Sequence, residues 1–136
     1  MYRELRTTDL KPIKFICEKL QYRNKLKGAD IGCGAGRYDL LLLKDLPDLH
    51  LICVDVNEAM VNETTCYLEA HGQKNFSAHC VDASDLQLPK GALDFVTTFN
   101  AIHHFEPAQF LNQAKEALKS GGYVFVYTRL KSQNRR

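Results

Sequence analysis

The 136-residue sequence contains no apolar run approaching the ~20 residues of a membrane span, and its opening MYRELRTTDL has no apolar stretch of signal-peptide length. The expectation from both absences is a cytoplasmic chain with no membrane partner. Charge of one sign is also scarce: 18 basic side chains stand against 16 acidic ones, interspersed, for a net charge of +2. That balance gives no broad electrostatic reason to expect nucleic acid, so a small-molecule partner is expected. The five cysteines, Cys17, Cys33, Cys53, Cys66 and Cys80, are odd in number and form no C-x-x-C pair. This spacing argues against a zinc or redox motif and fits a reducing compartment, and no metal is expected. Repeats and low-complexity segments are absent too. What remains is a length suited to one domain that buries about two-thirds of its unfolded surface.

Two hydrophobic periods alternate along that length. Leu10, Ile13, Ile16, Cys17 and Leu20 share one helical face, with Asp9 as a candidate cap and Pro12 in the first turn. LKGADI predicts a short strand in which Gly28 and Ala29 stand where bulky aliphatics are usual. RYDLLLLKDL predicts a helix ended near Pro47, and LHLICVDV a buried strand ending at Asp55. Asn57 can cap the helix EAMVNETTCYLEA, and NFSAHCV predicts a third strand ending at Asp82. ASDLQLPKG reads as a loop with one helical turn, and LDFVTTF as the fourth strand. Pro107 opens a last helix through Phe110, Leu111, Ala114, Ala117 and Leu118, which SGG stops before the strand YVFVYT. Strands separated by helices imply an α/β fold with a doubly wound, parallel sheet.

In such sheets a ligand lies beyond the carboxyl ends of the strands, where strand order reverses. The stretch GADIGCGAGRYDL sits at that place. Backbone without β-carbons lets a ligand approach closely, and the helix that follows offers free N–H groups. The loop alone is equally compatible with a tight turn. Gly32, Gly34 and Gly36 give G-x-G-x-G, with Arg37 where a dinucleotide fingerprint has its third glycine, which weakens a nicotinamide reading. Asp55 ends the next strand, where a carboxylate can accept hydrogen bonds from both hydroxyls of a ribose or simply cap a helix.

Taken in order, DIGCGAG, CVDVNEAM, VDASDLQLP, LDFVTTFNAIHHF and LKSGGYVFVY resemble the class I S-adenosylmethionine-dependent methyltransferases, from about Asp9 to Thr128. The likeness is closest to the small-molecule branch that includes ubiquinone and menaquinone C-methyltransferases. It implies a Rossmann-like sheet of five strands in the order 3-2-1-4-5 and S-adenosylmethionine as cofactor. Residue by residue, it implies that Asp30, Gly32, Gly34 and Gly36 wall the methionine part and that Asp55 holds the ribose. Val56 and Met60 then line the adenine face, Asp82 and the backbone at Ala83 read the adenine edge, and Asn100 sits beside the sulfonium end. Tyr2 and Arg6 resemble an upstream pair that reaches the cofactor carboxylate. Cys33 lies within the same loop, as a small packing residue rather than a nucleophile.

A sulfonium carries an activated methyl, so the protein has chiefly to align an acceptor and exclude water. His103 or His104 is the nearest candidate base if the acceptor must lose a proton, and each can equally pack or cap the loop. Phe99, Phe105 and Tyr38 can wall the site or belong to the core. NAIHH departs from the N-P-P-Y type motif of methylases that act on exocyclic base or glutamine amines, which disfavours that chemistry. The sequence after YVFVYT is only RLKSQNRR, whereas the family usually continues into an antiparallel hairpin. The expectation is a domain over residues 1–128 followed by a basic tail, 129–136, with the edge of the fifth strand covered by a second copy in a homodimer or exposed by truncation. The alternatives are a cofactor-binding module without independent activity and, less well supported by the glycine spacing, an NAD-dependent oxidoreductase.

Overall fold

The computed structural model describes residues 9–129. Tyr2 and Arg6, and Lys131, Arg135 and Arg136 of the tail, lie outside the described residues. Five strands, β1 (Lys27–Ile31), β2 (His50–Asp55), β3 (Phe76–Cys80), β4 (Leu93–Phe99) and β5 (Leu118–Tyr127), form one sheet in the order β3-β2-β1-β4-β5. Every pairing is parallel. The α-helices are α1 (Lys11–Lys19), α2 (Arg37–Asp45), α3 (Glu58–Ala70) and α4 (Pro107–Ala117). Among the described residues no helix is long and apolar enough to cross a membrane.

The period-two alternation of a strand sends successive side chains to opposite faces, and the sheet therefore has two cores. Leu51, Cys53, Phe95, Phe99 and Phe125 point to one face, where α1, α2 and α3 bring Ile16, Leu20, Leu42, Leu43 and Leu68. Ala29, Ile31, Val54 and Val96 point to the other, against Phe110, Ala114 and Ala117 of α4. Fully buried Phe95 and Phe110 are each worth about 2–3 kcal/mol of apolar burial.

Gly28 has a packing reason. It is paired with Phe95 of β4, and a β-carbon there would lie 2.3 Å from the phenyl ring. The missing side chain lets that ring lie across β1, so the strand is weak in local propensity and strong in tertiary packing.

Helix starts follow local chemistry. Asn57 Oδ1 accepts from the N–H of Met60 at 3.2 Å to cap α3, and Glu106 accepts from Gln109 at 2.8 Å to cap α4. At α1 the capping position itself is Leu10, and Asp9 one residue earlier accepts from Lys11 N–H at 3.0 Å. The other oxygen of Asp9 accepts from the Tyr127 hydroxyl at 2.6 Å, which ties the start of α1 to the end of β5. That hydroxyl, then the Lys11 N–H, holds the Asp9 carboxyl below its usual range.

One boundary departs from expectation. β5 begins at Leu118, directly after α4, instead of after the two glycines. Leu93 pairs with Leu118 but Phe95 with Tyr123, so Lys119–Gly122 bulges out between the two registers. The pair Gly121–Gly122 marks this bulge within the strand rather than a stop before it.

Candidate cofactor site

A cavity of about 610 Å³ opens at the carboxyl ends of β1, β2, β3 and β4, the place where strand order reverses. Its floor is Ile31, Gly32 and Gly34, its near wall Asp55, Val56 and Met60, and its far wall Phe99, Asn100, His104 and Phe105, with Val81, Asp82 and Ala83 along one side.

The glycine loop is held from several directions. Gly32 and Cys33 both donate their N–H to the Val54 carbonyl, at 2.7 and 2.9 Å. Gly34 N–H donates to Asp55 Oδ2 at 2.9 Å, and the Gly34 carbonyl accepts from the Thr64 hydroxyl at 2.6 Å. The Thr98 hydroxyl donates to the Ile31 carbonyl at 2.7 Å and fixes the end of β1. At Gly32, φ is +80°, and a β-carbon there would stand 2.7 Å from that of Ala101. Only glycine meets both conditions without strain. Gly34, at φ +58°, has no heavy atom within 4 Å of where its β-carbon would be, so its bare backbone faces open space in the cavity. Gly36 does not line the cavity; a β-carbon there would press on Thr64 at 3.1 Å.

Asp55 uses one carboxylate oxygen on Gly34 N–H and the other on Asn57 N–H, both at 2.9 Å. A carboxylate has about four lone-pair sites, so acceptor capacity is left for a ligand. Asp82 accepts from the N–H and the hydroxyl of Ser84, each at 2.9 Å. The backbone bond, then the hydroxyl, holds its carboxyl below the usual range. Val56 is exposed at the mouth of the cavity, beside Met60.

Across the cavity, Asn100 adopts φ +59°, a left-handed conformation that asparagine tolerates better than most residues. Its N–H donates to the Tyr127 carbonyl at 2.7 Å, and its Oδ1 accepts from Arg129 N–H at 2.7 Å. Tyr38, stacked on Phe99 with ring centroids 4.3 Å apart, sits behind it. His103 and His104 occupy a single 3-10 turn, Ile102–His104, with ring centroids 4.1 Å apart. Both are exposed, and only His104 lines the cavity.

Of the residues expected at the site, Gly32, Gly34, Asp55, Val56, Met60, Asp82, Ala83, Asn100 and His104 meet around one cavity. Asp30, Cys33, Gly36 and His103 do not line it. Cys33 turns its thiol to the Thr64 hydroxyl at 3.5 Å, and burial, then Asp39 and Asp30, pushes that thiol far up from its usual range. Thr64, Thr98 and Asp39 were not legible as site residues. Asp39 left one trace: it precedes Leu42, Leu43 and Leu46 at helical spacing, on the buried stripe of α2.

A family model described as a methyltransferase domain matches residues 29–122. A ribosomal RNA small subunit methyltransferase C of Shewanella loihica is 32% identical over 111 residues, covering 76% of this chain and 32% of that protein. The methyltransferase tpcH of Aspergillus fumigatus is 31% identical over 107 residues, covering 73% and 37%. The chain thus spans about a third of the length of these curated relatives. Among solved structures, a SAM dependent methyltransferase from Aquifex aeolicus superposes with a TM-score of 0.80 at 26% identity, covering 93% of this chain and 68% of that one.

Proposed function

This chain belongs to the class I S-adenosylmethionine-dependent methyltransferases, and we propose that its cavity holds the cofactor through the glycine loop and Asp55 for methyl transfer to a small-molecule acceptor. The carrying observation is the convergence of Gly34, whose missing β-carbon leaves open space, with the Asp55 carboxylate on one cavity at the strand-order reversal. The residues fit the group: bare backbone for the methionine part, a carboxylate for the ribose hydroxyls, and Val56 and Met60 to flank the adenine. Asp82 and the Ala83 backbone take the adenine edge, and Asn100 the sulfonium end.

When bound, S-adenosylmethionine supplies an electrophilic methyl group, so this chain needs no covalent nucleophile. Phe99 and Phe105 keep water from the far wall, and the loop preorganises the approach. His104, on the cavity wall, accepts the acceptor's proton where one must be lost, with His103 beside it. The NAIHH turn and the near-neutral charge favour a small organic acceptor, of which a quinone-type ring is one example. A second reading, an RNA nucleotide, is favoured by the likeness to ribosomal RNA methyltransferases.

Addition of S-adenosylhomocysteine to isotope-labelled protein tests the cofactor assignment, with amide shifts expected at Gly32, Gly34, Val56, Ala83 and Asn100. Shifts confined to the opposite end of the sheet would refute it. Labelled methyl transfer then separates the acceptors: incorporation into small aromatic or quinone-like compounds supports the first reading, and incorporation into RNA the second. Binding without transfer to any acceptor supports a cofactor-binding module.

A further inference from the structure

Two carboxyl groups are buried at opposite ends of the glycine loop. Asp30 is the penultimate residue of β1, just before Gly32, and is 1% exposed. Asp39 lies in the first turn of α2, just after Gly36, and is 0% exposed. Register sets Asp30 beside Cys53 of β2 and Thr97 of β4, on the face against which α2 packs. The two buried carboxyls lie close enough to perturb each other electrostatically, and the Cys53 thiol bears on Asp39 as well. Asp30 Oδ1 and both oxygens of Asp39 are buried with no hydrogen-bond partner, so a proton held between the two groups is what can satisfy them there.

Two ionised carboxylates cannot share such a site, because like charges in a dry interior repel strongly. One proton between them converts the contact into a charge-assisted hydrogen bond. The groups that bear on the pair are Asp55 at the end of β2, Cys33 in the loop and Cys53 on β2. Cys17, the buried thiol of α1, faces Asp45 and Glu18 instead. Burial raises both carboxyls, Asp39 to about 6 and Asp30 well above its usual range, with Asp39 and then Asp55 adding to burial at Asp30.

We propose that Asp39 is a positioning residue: it shares one proton with Asp30, and their bond ties the end of β1 to the first turn of α2, fixing the curvature of Gly32–Gly36 that opens Gly34 to the cavity. Asp39 touches no ligand, since it does not line the cavity. The positioning role rests on the cofactor reading above, whereas the shared proton does not.

The test combines S-adenosylhomocysteine titration with thermal unfolding from pH 4 to 8, for the wild type, Asp39→Leu and Asp39→Asn. Asp39→Leu leaves the buried Asp30 carboxyl without its partner, so it should unfold at a lower temperature than the wild type and, where still folded, bind at least tenfold more weakly. Asp39→Asn, whose amide can donate to an ionised Asp30, should bind within threefold of the wild type. It should also lose much of the decline in stability that the wild type shows as pH rises from 4 through about 6. A folded Asp39→Leu that binds like the wild type overturns the positioning role. An Asp39→Asn variant with the wild-type pH slope overturns the shared proton. Should Asp39→Leu not fold, Asp39→Ala carries the same prediction. A wild type that binds no S-adenosylhomocysteine defeats the cofactor reading and the positioning role with it, while the pH slopes still decide the proton.

Discussion

On the β1–β2 side of the cavity, the glycine loop is gripped by groups from separate elements: buried Thr64 of α3 and Thr98 of β4, the Val54 carbonyl, and the half-buried Asp55 carboxylate of β2. On the β4–β5 side, among the described residues, hydrogen bonds from a distance reach Asn100, through Tyr127 and Arg129, while Phe105 is held by stacking on Phe110 of α4. Beyond Asn100 the turn closes on itself, with His104 N–H donating to Ala101 and Phe105 N–H to Ile102, and both histidines exposed. Long-range bonds among buried partners preorganise a surface, whereas a 3-10 turn held by its own backbone can adapt. On the proposed function, the first side takes the cofactor, the constant part of the reaction, and the second the acceptor, the variable part.

The sharpest way to break this contrast is at Gly32. Gly32→Ala forces a left-handed β-carbon against Ala101, and should cost about 3 kcal/mol in denaturant unfolding; a change under about 1 kcal/mol would mean the loop is not rigidly held. Next comes pH. Burial pushes the Asp39 carboxyl up from its ordinary range to about 6, so its contribution to stability is complete below about pH 4 and is lost as pH climbs through 6. Relative to Asp39→Asn, the wild type should lose ~2 kcal/mol between pH 4 and 7, and a flat difference would show that no proton is held there.

Asp55→Ala removes the proposed ribose acceptor and frees the N–H groups of Gly34 and Asn57, so S-adenosylhomocysteine affinity should fall by ~1–3 kcal/mol. Unchanged affinity would remove Asp55 from the site. Thr64→Val keeps the shape but leaves the Gly34 carbonyl with only the weak Cys33 thiol donor at 3.8 Å, for about 1 kcal/mol in unfolding free energy. The smallest effect is expected on the adaptable side: His103→Ala and His104→Ala should change stability by less than about 0.5 kcal/mol. Cofactor affinity should stay within twofold in both, and a tenfold loss in either would abolish the division between the two sides.

What the sequence disclosed follows the same division. G-x-G-x-G and Asp55 were legible because their constraints are local: a backbone without β-carbons, then a carboxylate where the next strand ends. The parallel sheet was legible from the alternating periods, and its strand order from the likeness to a known family. Thr64 was not, since a threonine within EAMVNETTCYLEA looks like any polar helix residue until α3 docks on the loop. Gly28 looked like a weakness in β1, because its reason, the ring of Phe95, lies on another strand. The start of β5 was misplaced because a glycine pair signals a stop as readily as a bulge.

The most direct measurement is calorimetric titration of the chain with S-adenosylhomocysteine, beside NAD as control. The account predicts saturable binding of the first with one site per chain and none of the second. Binding of NAD in preference, or of neither, would contradict it.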